Sequence, residues 1–224
     1  MTDTPSNGTM DNSFHMPRIG DMAPDFEAST THGMLRFSDY IKDHWTILFS
    51  HPADFTPVCT TELSSFAENG KWFADHHTKL IGLSIDSIHS HVAWVNNVHE
   101  KTGVYMDFPI IADIDMKVAK LYGMLHENTS NTAAVRAVFF IDPKGIIRLI
   151  MYYPLNVGRN MDEIMRVLQA LQAADENACA MPVNWRPGDK VIVPPPKTLK
   201  EMEARKADKS LEMVDFYLAK KELA

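Results

Sequence analysis

The sequence predicts an α/β domain with a mixed central sheet flanked by helices, followed by a C-terminal extension. Three observations lead there. Short apolar runs of strand length alternate with segments whose apolar residues recur at helical spacing. Asp142-Pro143-Lys144-Gly145 has the chemistry of a type I turn joining two further strands, and a helix opens behind Asn160. Strands separated by helices pair in parallel, whereas a hairpin adds antiparallel pairing, so the sheet is expected to be mixed. With 224 residues, of which 45% are hydrophobic and 23% charged, the chain buries a core without cross-links, and a disordered or low-complexity chain is excluded.

The elements are read in chain order. Residues 1–16 are polar and without periodicity, which predicts a loose arm. After the turn-rich stretch from Gly20 to Pro24, Trp45 to His51 is apolar and stopped by Pro52, as a buried strand would be. Thr56 is placed as N-cap and Pro57 as first residue of a helix whose Leu63, Phe66, Ala67, Phe73 and Ala74 carry it to about His77. Lys79 to Asp86 reads as a second buried strand and Ser90 to Glu100 as a second helix. A short strand from Phe108 to Ala112 and a short helix from Asp115 to Tyr122 precede two hairpin strands, Ala133 to Asp142 and Ile146 to Tyr153. Behind Asn160, Ile164, Val167, Leu168 and Leu171 share one helix face, and the domain is expected to end near Glu176. Met181 to Lys197 holds five prolines and reads as an extended linker, and the charged tail from Thr198 to Ala224 as largely helical. A tail of that length encloses no core of its own and has to pack on the main domain or on another subunit.

Charge and cysteine usage narrow the function. Twenty-two Lys and Arg against 29 Asp and Glu give a net charge of −7, which argues against a nucleic-acid backbone or an anionic membrane as partner. No apolar run approaches the ~20 residues of a membrane-spanning helix, and the polar, acidic start lacks the features of a secretory signal, so the expected address is the cytoplasm. Two cysteines, Cys59 and Cys179, make neither a disulfide framework nor a thiolate zinc site. The pairs His76-His77 and His89-x-His91, with His99, lack ligand spacing and read as surface histidines, so neither metal nor cofactor is expected.

Cys59 is the candidate nucleophile. If Pro57 opens the helix, Cys59 lies in its first turn, where unpaired N–H groups and the helix dipole favour negative charge, and the thiolate is the reactive form. Arg136 interrupts an otherwise apolar strand. A buried guanidinium left unpaired costs ~3–5 kcal/mol, so the fold has to supply an anion: the Cys59 sulfur or a substrate oxygen beside it, or a carboxylate such as Asp54 or Glu62. Arg148 breaks a similar run, but alternation in the hairpin allows it the solvent face, so it is assigned no role.

The pattern Pro52-x-x-x-Thr56-x-x-Cys59 resembles the active-site motif of peroxiredoxins, thiol-dependent peroxidases of the thioredoxin-like fold. The longer string SHPADFTPVCTTEL resembles the one-cysteine, peroxiredoxin-six subfamily of these AhpC/TSA-like enzymes, as do GDMAPDF, the Arg136 strand, Gly158-Arg159-Asn160 and PVNWRPGDKVIVPPP. This resemblance, spanning about residues 17–197, implies a thioredoxin-like peroxidase domain over residues 17–176 and a dimer-contacting extension over residues 177–224. It implies Cys59 as peroxidatic nucleophile, Thr56 and Arg136 as hydrogen-bonding partners of the peroxide oxygens, and Pro52 as a shield against water. His51 would lie near the sulfur, and Arg159 would support Arg136. Peroxide is the implied substrate, an external thiol such as glutathione or thioredoxin the reductant, and a homodimer the assembly, with a higher ring left open. The two-cysteine enzymes carry a resolving thiol where this chain has Met181, which favours a one-cysteine cycle, with Cys179 as a weaker candidate for resolution. No Gly-x-Ser-x-Gly precedes the Trp45 strand, so no lipase chemistry is expected. The alternative function is a peroxide sensor or holdase in which Cys59 is a redox switch.

Overall fold

A computed structural model describes residues 16–223, so the arm expected over residues 1–16 lies, apart from Met16, outside the described residues. The first elements are ones the sequence reading did not contain: a hairpin of β1 (Glu27–Thr30) and β2 (Gly33–Arg36), then a short helix α1 (Phe37–Ile41). Thr31 and His32 form the tip, and Gly33 takes a φ of +98° that a side chain would strain. β3 (Trp45–Ser50) is buried at every position. The single helix expected from Pro57 to His77 is two, α2 (Pro57–Glu68) and α3 (Gly70–Asp75). Asn69 separates them, donating its backbone N–H and its side-chain amide to the Ser65 carbonyl, and Gly70 follows.

β4 (Thr78–Ser84) precedes α4 (Ile88–Thr102), whose N-cap Ser87 accepts from the Ser90 N–H and whose C-terminus stops at left-handed Gly103. β5 (Ile110–Ala112), α5 (Lys117–Leu121), β6 (Arg136–Ile141) and β7 (Ile147–Tyr153) complete the first part. The sheet order is β2-β1-β5-β4-β3-β6-β7. β3, β4 and β5 pair in parallel and the rest antiparallel, so the mixed sheet expected from the sequence is present. Alternation along β3 divides the core. Leu48 joins Phe37, Ile81, Tyr122 and Phe139 in one cluster, while Phe49 stacks on Phe66 of α2, ring centroids 4.0 Å apart. Arg148 is not simply solvated: it donates to Asp142 and lies over the Trp45 ring.

Residues up to Gly158 form one compact unit and those from Arg159 a second, so the helix placed in the first domain by the sequence groups with the second unit. That helix, α6 (Met161–Asn177), starts as expected, with the Asn160 side chain accepting from the Glu163 N–H. Two expectations for the C-terminal part fail. Val191–Val193 is a strand, β8, not linker, and the tail is helical only over α7 (Leu199–Ala207) before turning into β9 (Glu212–Asp215) and β10 (Leu218–Lys221). Asp208 stops α7 by accepting from the Ser210 N–H and hydroxyl, and β10 then pairs with both β9 and β8, burying Ala219 and Val191. The β8–β10 pairing joins residues about thirty positions apart, which a local period does not report. Among the described residues no helix is long and apolar enough to cross a membrane.

Candidate active site

The site grows from the end of β3. The His51 N–H donates to the Leu83 carbonyl of β4, which continues the parallel ladder by one step. The loop then turns through part-buried Pro52 and Ala53, buried Asp54 and left-handed Phe55 to reach Pro57 at the first position of α2. Thr56 occupies the N-cap position but forms no side-chain cap. Its hydroxyl donates to the Ala53 carbonyl at 2.9 Å, and its carbonyl accepts from the Thr60 N–H and hydroxyl. The proton is thus committed within the loop, and what Thr56 can present to a ligand is the acceptor side of its oxygen.

Cys59 is the third residue of α2, in the turn whose N–H groups have no intrahelical acceptor, and it is fully buried. Arg136, first residue of β6 and 2% exposed, points its guanidinium at it. Arg136 Nη1 donates to Cys59 Sγ at 3.3 Å and to Glu62 Oε2 at 2.5 Å, while Nε and Nη2 both donate to the Leu155 carbonyl, at 3.1 and 2.6 Å. The two anions that the sequence offered as alternatives are therefore both present. Glu62 stands three residues after Cys59, on the same face of α2, and this spacing lets one guanidinium reach both. Asp54, the other carboxylate considered, serves a different cluster.

That cluster was not legible in the sequence. Asp54 Oδ1 accepts from His51 Nε2 at 3.0 Å and Oδ2 from His91 Nδ1 at 2.8 Å, with the three side chains at most 1% exposed. Burial alone would oppose ionisation of Asp54, but the hydrogen bonds from His51 and His91 outweigh it and hold the carboxyl well below the usual carboxylate range. His91, expected on the surface, is fully buried in α4. The Asp54 N–H donates to Asp86 Oδ2, which also accepts from the Ser84 hydroxyl. Ligand atoms of His51, Asp54 and Asp86 lie within 4.8 Å of one another, a donor set of a type that divalent cations accept, yet hydrogen bonds already engage these atoms.

His51, Pro52, Thr56, Cys59 and Arg136 belong to the first unit. Arg159, part-buried, begins the second, directly before the Asn160 cap. Cys179 lies just after α6, part-buried, its N–H donating to the Ala174 carbonyl. Both cysteines are free thiols.

Known proteins place this arrangement. Residues 19–150 match the model of the AhpC/TSA family, and residues 170–207 match that of the C-terminal domain of 1-Cys peroxiredoxin. Peroxiredoxin 2 of Caldanaerobacter subterraneus subsp. tengcongensis is 51% identical over 93% of this chain and 94% of its own length. Among solved structures, the yeast mitochondrial 1-Cys peroxiredoxin, studied for its thiol resolution via glutathione/thioredoxin systems, superposes with a TM-score of 0.82 at 42% identity, over 93% of this chain and 100% of its own. A cysteine-to-serine variant of the peroxiredoxin 6 of Arenicola marina superposes with a TM-score of 0.84 at 35% identity, over 92% of this chain and 98% of its own.

Proposed function

The chain belongs to the AhpC/TSA family of peroxiredoxins, has its thioredoxin-like fold and is a thiol-dependent peroxidase, and from that premise we propose that Cys59 is the peroxidatic nucleophile, oxidised to a sulfenic acid in each turnover. The observation that carries the assignment is the Arg136 Nη1 to Cys59 Sγ contact of 3.3 Å inside a buried site. The thiolate attacks the hydroxyl-bearing oxygen of hydrogen peroxide or an organic hydroperoxide. A sulfur–oxygen bond forms, the oxygen–oxygen bond breaks, and the departing alkoxide or hydroxide takes the proton that the thiol released. Arg136 stabilises negative charge on sulfur and on the oxygens, and the Thr56 oxygen accepts the peroxide O–H, fixing the line of approach. Pro52 limits water, His51 lies beside the sulfur pocket, and Arg159 supports Arg136; these roles rest on the matching motif positions.

Two external thiols complete the cycle. One condenses with the sulfenic acid, forming a mixed disulfide and water, and the second releases Cys59 as a disulfide of the two reductants. Glutathione or thioredoxin fits this role, on the precedent of the yeast relative. The reading extends to a peroxidase domain of residues 17–176, a dimer contact formed by residues 177–224, a homodimer as functional unit, and a cytoplasmic address whose reducing thiol pool regenerates Cys59. Cys59→Ser is expected to abolish peroxide consumption with an external thiol while leaving the circular dichroism spectrum unchanged. Mass spectrometry after one equivalent of peroxide should place sulfenic acid on Cys59 of the unsubstituted protein. A serine variant that kept most of its turnover would remove Cys59 from the mechanism.

A further inference from the structure

The mechanism above uses one of the two histidines bound to Asp54 and gives the other no task. His91 is hydrogen-bonded at both ring nitrogens. Nε2 faces the Ile111 carbonyl at 3.1 Å and Nδ1 faces Asp54 Oδ2 at 2.8 Å. A peptide carbonyl only accepts, so Nε2 carries a proton. The Asp54 carboxylate, ionised at neutral pH, also only accepts, so Nδ1 carries one as well. Both ring nitrogens of His91 thus face acceptors, and the pair is hydrogen-bonded at every ring nitrogen and carboxylate oxygen that it presents. The consequence passes through Asp54. Its second oxygen accepts from His51 Nε2, which places a proton on that nitrogen, and its backbone N–H is tied to Asp86 immediately ahead of α4. One carboxylate thus links α4 to the loop bearing Pro52 and Thr56.

We propose that His91 is a positioning residue of the peroxidase site: clamped between the Ile111 carbonyl and the Asp54 carboxylate, it fixes Asp54 and, through it, the His51 tautomer and the loop that delivers Thr56 to the start of α2. The inference rests on the assignment of Cys59 as the oxidised residue. Without His91, Asp54 Oδ2 loses its hydrogen-bond donor in a dry environment and has to turn toward another partner. That turn frees His51 and the two-residue step from Asp54 to Thr56, and a displacement of ~1 Å among positioning groups costs up to ~100-fold in rate.

Asparagine and glutamine separate the two hydrogen bonds of His91. The amide nitrogen of Asn overlays imidazole Nδ1 and can still donate to Asp54, whereas that of Gln overlays Nε2 and reaches only the Ile111 carbonyl. The second-order rate of Cys59 oxidation, followed by stopped-flow tryptophan fluorescence on folded protein, is expected to fall ~10- to 100-fold in His91→Gln and to stay within ~3-fold in His91→Asn. Nitrogen-15 NMR of the unsubstituted protein at pH 7 should show His91 protonated on both nitrogens and His51 on Nε2, and this decides the matter even if a variant does not fold. Equal rates in both variants, whether unchanged or equally slow, or an unprotonated nitrogen on His91, would overturn the positioning role while sulfenic acid on Cys59 left the peroxidase assignment standing. Sulfenic acid found elsewhere than Cys59 would instead overturn the assignment beneath it.

Discussion

Replacing Arg136 by methionine, which keeps the length of the side chain and removes its charge, tests two properties of the guanidinium at once. At 3.3 Å from the sulfur, a guanidinium–thiolate pair is worth ~5 kcal/mol with an effective dielectric constant of about 20, an upper figure because water and neighbouring groups compensate on removal. Hydrogen bonds to charged groups are measured at ~1.5–3 kcal/mol, which translates to a ~10- to 150-fold slower oxidation of Cys59. The same substitution takes the Arg136 cation away from Glu62, 4% exposed at its side chain, and loss of one member of a buried pair costs ~3–5 kcal/mol of stability. A slow variant could therefore be slow because it is loosened. Arg136→Met combined with Glu62→Gln separates the effects, since it leaves no uncompensated carboxylate. The double variant should recover most of the urea midpoint but none of the rate. Stopped-flow fluorescence against peroxide concentration gives the rate constant, and urea titration gives the stability. An Arg136→Met protein oxidised within ~3-fold of the unsubstituted rate, or a double variant that regains that rate, would refute a direct role of the guanidinium at the sulfur.

Three further outcomes follow from the geometry. Cys179→Ser should leave turnover with an external thiol unchanged, and a block after the first oxidation would make Cys179 the resolving thiol. Asp54, held below its ordinary value of 3.8 although burial opposes this, binds protons more weakly in the folded than in the unfolded chain. Its contribution to stability is therefore complete above pH 3.8 and lost as pH falls below it, so the urea midpoint should drop in that range and drop less steeply in Asp54→Asn; identical slopes would contradict the Asp54 account. Asn160→Ala removes the acceptor of the Glu163 N–H and should lower unfolding stability by about 1 kcal/mol, whereas no change in the urea midpoint would mean that the cap is replaced by water.

What could be read from the sequence was what one element reveals by itself. The apolar run from Trp45, the turn at Asp142 to Gly145 and the Asn160 cap each declare themselves within ten residues, and all three are in the structure. Cys59 was legible because Pro57 fixes the start of α2, and Arg136 because a charge in an interior strand needs an explanation. Elements held by partners distant in sequence were not legible. The β1–β2 hairpin has a short, half-exposed pattern with one turn glycine as its signal, and β10 takes one side of its ladder from β8. His91 reads as polar decoration of a helix until Asp54, 37 positions earlier, is brought against it. Thr56 holds the N-cap position that the sequence gives it, but the sequence does not show that the Ala53 carbonyl takes its hydroxyl proton.

The binding of Arg136 to Glu62 raises a physical question, because a cation shared with a carboxylate gives less to the sulfur. The catalytic cycle supplies the reason. Cys59 is anionic only before it reacts; as sulfenic acid, and again as mixed disulfide, it carries no charge. A guanidinium that depended on the thiolate alone would then be an unpaired buried cation, at a cost of ~3–5 kcal/mol in each of those states. Glu62 and the Leu155 carbonyl accept from Arg136 independently of the state of the sulfur, so the donor aimed at Cys59 does not have to be rebuilt when the thiolate returns. The Asp54–His91 pair follows the same logic: its hydrogen bonds are made without reference to Cys59, so the loop keeps its shape whichever oxidation state the sulfur is in. A weaker pull on the thiolate is thus the condition for a site that is already organised when the next peroxide arrives.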